Sequence, residues 1–61
     1  MTDHTLLYWC LHQVIVHLRE YRVTKLRRML AEARYYLSDA RALAPGNRSV
    51  ERISRIYMMI R

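Results

Sequence analysis

Three histidines, one cysteine and five carboxylates are the side chains of this chain best suited to acid–base, nucleophilic or metal chemistry. Their spacing argues against all three. His12 and His17 stand five apart, so a helix would point them to different sides. Helical zinc ligands recur one turn apart instead. Cys10 and His17 would share a face but lie two turns from each other. Asp3, Glu20, Glu32 and Asp39 are scattered as caps and surface partners, with no two placed for acid–base work. Arg28 and Glu32 are four apart and suit a surface ion pair. Gly46 is the sole glycine, which excludes a glycine-rich phosphate cradle. The expectation is a protein that is not an enzyme, with no catalytic residue, no metal, no cofactor and no small-molecule substrate.

Arginine is the exception. Ten of the eleven basic residues are arginine, and the formal charge is +6. Residues 1–22 balance, with Arg19 and Arg22 against Asp3 and Glu20, so the excess lies in the later two thirds. Arg27, Arg34 and Arg41 recur every seven residues and form a stripe suited to an anionic partner. Arg48, Arg52 and Arg55 form a second set. A guanidinium is a planar fork of donors that matches carboxylate and phosphate. Such a balance favours an acidic protein, nucleic acid or an anionic surface; it also keeps an apolar-rich chain dispersed.

The elements that carry these arginines are helices. Between Thr24 and Ala44, Leu26, Leu30, Ala33, Leu37, Ala40 and Ala44 follow spacings of four and three, a heptad seam. Met29, Tyr36 and Leu43 widen it. The arginine stripe is expected on the far side, and this stretch is expected to organise the fold. An earlier seam runs through Leu7, Leu11, Val14, Leu18 and Tyr21, with Thr2, Asp3 or Thr5 as caps. Leu6, Tyr8, Trp9 and Cys10 add apolar surface nearly all round its first turns. The two seams are out of phase by two residues. That predicts a turn near Arg22–Val23 with Thr24 as the next cap; without it the chain would be one helix of about 60 Å up to the next break. Ala44-Pro45-Gly46-Asn47 is a clear break. Asn47 or Ser49 then caps a third helix carrying Val50, Ile53, Tyr57 and Ile60 on one face, with Ile56 beside them. Adjacent Met58 and Met59 cannot both face one core.

Sixty-one residues with 52% apolar side chains lie near the lower limit for independent stability. A lone cysteine allows no internal disulfide. With no signal-peptide pattern around Leu6–Leu11, it points to the cytoplasm. No stretch approaches the ~20 apolar residues of a membrane span.

Two local patterns are similar to known families. Ala33, Leu37, Ala40 and Pro45 resemble the second half of a tetratricopeptide repeat, which implies a helical hairpin that docks on a neighbour. Ala42, Gly46, Ser49, Ile53 and Ile56 resemble a helix-turn-helix unit. That resemblance implies DNA-facing Arg48, Arg52 and Arg55, with Ser49 and Ser54 near the phosphates. The interval from Gly46 to Ile53 is one residue longer than that pattern.

The expected fold is all-α: a helical hairpin plus a shorter third helix, a small three-helix bundle in a single domain, with helices over 4–21, 24–44 and 48–60. The expected function is non-catalytic binding of another protein, with an acidic one suited to the arginines, by a regulator, inhibitor or assembly chaperone that also forms a homodimer. Leu6, Tyr8, Trp9, Leu11, Met58 and Met59 are the expected protein interface. The alternative is a nucleic-acid-binding regulator using Arg48, Ser49, Arg52 and Arg55 of the third helix together with the Arg27, Arg34 and Arg41 stripe.

Overall fold

In a computed structural model of the chain, residues 3–61 are described. Thr2, an expected cap, lies outside them, as does the side chain of Asp3. The chain is an all-α three-helix bundle: α1 (Asp3–Thr24), α2 (Arg27–Leu43) and α3 (Arg48–Ile60). None of these helices is long and apolar enough to cross a membrane.

One apolar cluster joins the three helices. Five of its eleven buried residues come from α1: Leu7, Cys10, Leu11, Val14 and Leu18. Ala33, Leu37 and Ala40 come from α2, and Val50, Ile53 and Tyr57 from α3. The organising element is therefore α1, not the longer seam of α2. The reason is side-chain size. Two of the three buried α2 positions are alanines with no exposed surface, so α2 lets α1 come close but adds little volume. The α1–α2 contact is the most extensive of the three, and α3 packs more lightly across both. Val14 and Val50 are fully enclosed. Each such side chain contributes about 1.5–3 kcal/mol on leaving water.

The α1–α2 turn falls three residues later than the spacing predicts. Val23 is still helical and exposed. Lys25 takes the left-handed conformation, with φ of 61°, a role usually given to glycine at a helix end. Its N–H donates to Tyr21 O at 2.7 Å. Thr24 closes α1 rather than opening α2: its Oγ1 donates to Glu20 O at 2.8 Å and accepts from Leu26 N–H at 3.3 Å. Leu26, expected in the α2 seam, is the extended residue before the helix and is 45% exposed.

The second turn follows its residue types. Gly46 has φ of 76°. Asn47 caps α3, its Oδ1 accepting from Ser49 N–H at 2.8 Å and Val50 N–H at 3.2 Å. Val50, Ile53 and Tyr57 are buried as expected, and Ile60 is half-buried against the core. Ile56 faces outward, because Ser54 occupies the buried position beside Ile53 and Tyr57.

Candidate functional site: an arginine-lined groove

The arginine stripe of α2 does not lie on the side away from the bundle. It borders α3. Tyr21 of α1, Arg27, Leu30, Arg34 and Tyr35 of α2, and Tyr57 and Arg61 of the α3 end line an open hollow of about 790 Å³. A second hollow of about 450 Å³ holds Leu37, Arg41, Ser54 and Met58. The two share Arg34, Ser38, Tyr57 and Arg61, so together they form one groove along α2 and α3. Among the described residues, four arginines line it and no acidic side chain does.

Local sequence explains this geometry. Each of Arg27 and Arg34 is followed three residues later by leucine, Leu30 and Leu37, and Arg41 by Ala44. The arginines thus flank the apolar seam on the edge that α3 approaches. Leu37 is buried and Leu30 half-buried. Arg41 is further fixed: its Nη2 donates to Ser54 Oγ at 2.6 Å. Ser54 is 7% exposed. The expected position of Ser54 near a nucleic-acid phosphate is therefore corrected, since its hydroxyl is buried and accepts from Arg41 at the boundary of α2 and α3.

The six expected interface residues do not form one surface. Leu11 is buried in the core and is withdrawn from the interface. Leu6 and Trp9 border a shallow hollow of about 240 Å³ with Cys10, Asp39, Ala42 and Leu43. Tyr8 points away, stacked beside His4 at 6.4 Å between ring centroids. Met58 borders the arginine groove, and Met59 is 85% exposed. Trp9 also has a partner within the chain, meeting Tyr36 edge-on at 5.4 Å. Tyr36 carries Tyr35 and His17 at 5.5 Å each. His17 Nδ1 lies 2.7 Å from Gln13 O, bonded to its own helix.

Arg48, Arg52 and Arg55 line a hollow on the outside of α3 together with Gly46 and Glu51. Arg48, Ser49, Arg52 and Arg55 are all exposed. Of the helix-turn-helix pattern, Ile53 anchors the core, while Ile56 is exposed and Ala42 lies at the surface. Of the tetratricopeptide pattern, Ala33, Leu37 and Ala40 are buried in the hairpin.

No family model, no curated protein and no solved structure matches the chain. The two resemblances remain likenesses of local pattern.

Among the described residues, no group of three or more His, Cys, Asp or Glu could hold a metal ion. Burial pushes the Cys10 thiol above its usual range, and the negative charge of Asp39 adds to the shift. A thiol held protonated is a poor nucleophile. Sequence spacing alone misses Tyr21, Tyr57 and Arg61 as groove residues, because they come from other helices. The one signal was that Tyr57 and Arg61 stand one helical turn apart.

Proposed function

We propose that the protein is a non-catalytic binding protein of the regulator, inhibitor or assembly-chaperone kind, which takes an acidic segment of another protein into the groove between α2 and α3. The observation that carries this reading is the groove's composition: Arg27, Arg34, Arg41 and Arg61 with Tyr21, Tyr35 and Tyr57, and no acidic side chain among the described residues. Arginine and tyrosine are the residue types that most often anchor protein interfaces. Four guanidiniums along one groove favour a partner with several carboxylates. The reading includes a cytoplasmic setting, where a lone thiol stays reduced. It also includes self-association through the exposed side of Trp9 and its neighbours Leu6 and Leu43.

A nucleic-acid reading has one observation in its favour, the exposed Arg48, Arg52 and Arg55 along α3. Glu51 stands among them and would face the phosphates.

The test is titration with a labelled glutamate-rich peptide and with generic duplex DNA, each at low and high salt. Peptide binding that Arg27→Glu with Arg34→Glu abolishes supports the groove. Duplex binding that falls steeply with salt, and that Arg52→Glu with Arg55→Glu abolishes, overturns it in favour of nucleic acid.

A further inference from the structure

We infer that the occupant of the groove is an α-helix bearing acidic residues seven apart. This rests on the acidic-partner reading above and adds the partner's shape and register.

The argument is one of spacing. Arg27, Arg34 and Arg41 lie on one unbroken helix at a constant interval of seven residues. At a rise of about 1.5 Å per residue, successive arginines are about 10.5 Å apart, and the set spans about 21 Å. That span fits within the 33 Å long dimension of the molecule. A partner that pairs with all three must repeat its carboxylates at the same distance. An α-helix does so at every seventh residue, on one face. An extended strand does not. Its same-face side chains recur at about 6.7 Å and about 13.4 Å, while a three-residue step of about 10 Å turns the next side chain to the opposite face. A strand could satisfy one arginine at a time, not the row.

Two features of the site sharpen this. Arg41 is already held by Ser54, so one guanidinium is in place before any partner arrives. Only one of its five donors is used in that bond, and a fixed side chain loses little freedom on pairing. At the other end of the row, half-buried Leu30 borders the larger hollow beside exposed Tyr35. Leu37 and Met58 line the other hollow, so the partner helix carries small apolar residues between its charges along the whole row.

The experiment uses three alanine-based peptides of equal length and charge with the full-length chain. One carries glutamates seven apart, three in all. A second carries them five apart, which splays them around the helix. A third keeps the seven-residue spacing but has a central proline. Circular dichroism checks that the first two are equally helical. The expected result is binding of the first at least tenfold tighter than either other peptide. Arg34→Gln, which keeps the side chain polar and the helix intact, should reduce that advantage to less than threefold. Equal binding of all three overturns the helical register while leaving the acidic-partner reading in place. Binding of none overturns both. Preference for duplex DNA over every peptide overturns both.

Discussion

Arg41 and Ser54 join α2 to α3 through a single hydrogen bond, Nη2 donating to Oγ at 2.6 Å, across thirteen residues of sequence. The bond connects the two helices that form the groove. It also gives one arginine of the stripe a structural duty that Arg27 and Arg34 do not share.

Arg41→Gln should therefore lower stability, by about 1–2 kcal/mol, since the lost bond has a charged donor and leaves a buried hydroxyl short of a partner. For a domain of this size that is a fall in Tm of roughly 4–16 °C. Ser54→Ala should cost less, because Arg41 can turn to water. A double-mutant cycle measures the coupling. A value of zero would mean that the bond does not hold α3.

Leu37→Asp and Leu30→Asp should behave differently, although both lie in the same seam. Leu37 is 5% exposed, and an unpaired carboxylate there costs several kcal/mol. The total available to a chain of this length is roughly 3–9 kcal/mol, so Leu37→Asp should unfold it. Leu30 is half-buried at the groove, which Arg27 and Arg34 also line. Leu30→Asp should keep native helicity by circular dichroism and should weaken binding of an acidic peptide. Equal melting curves for the two variants would place the edge of the core elsewhere.

Trp9→Ala tests two roles at once. The ring packs edge-on against Tyr36, and its loss should cost about 1–3 kcal/mol, less than for a fully buried tryptophan. The exposed half should anchor a symmetric dimer. Analytical ultracentrifugation at micromolar concentration should show dimer for the wild type and monomer for the variant. A wild type that stays monomeric to about a hundred micromolar would limit any self-affinity to weaker than about −5.5 kcal/mol and end the self-association proposal.

The buried thiol predicts a pH effect. Cys10 is held protonated by burial first and by Asp39 second. The unfolded chain ionises its thiol near the ordinary value of about 8.5, while the folded chain ionises it only at higher pH, so folding stability falls as pH rises past that value. Below it the contribution is fully present. Urea midpoints at about pH 7 and about pH 9 should drop more for wild type than for Cys10→Ala. The same drop in both would show that Cys10 is not the group responsible.

The sequence by itself determined the helices and most of their inner faces. Leu7, Leu11, Val14 and Leu18 repeat with helical spacing, and burial follows it. Gly46 and Asn47 mark the second turn through properties of their own backbone and side chain. The first turn was less legible because Lys25, a residue with no turn preference, takes the left-handed position. Only the tertiary structure decided which neighbour each face meets. Periodicity fixes a side chain's angle about its own helix axis and nothing about what approaches from that direction. Thus Arg27, Arg34 and Arg41 read equally well as a solvent-facing stripe until α3 comes alongside and makes them the wall of a groove. Ser54 stands four residues after Val50 and three before Tyr57, so spacing sets it on the buried face; its polar type gave no sign that Arg41 would meet it there. Cys10 is one apolar residue among many in a helix apolar on several sides. It becomes part of the core because the alanines of α2 permit a close approach on the side it faces.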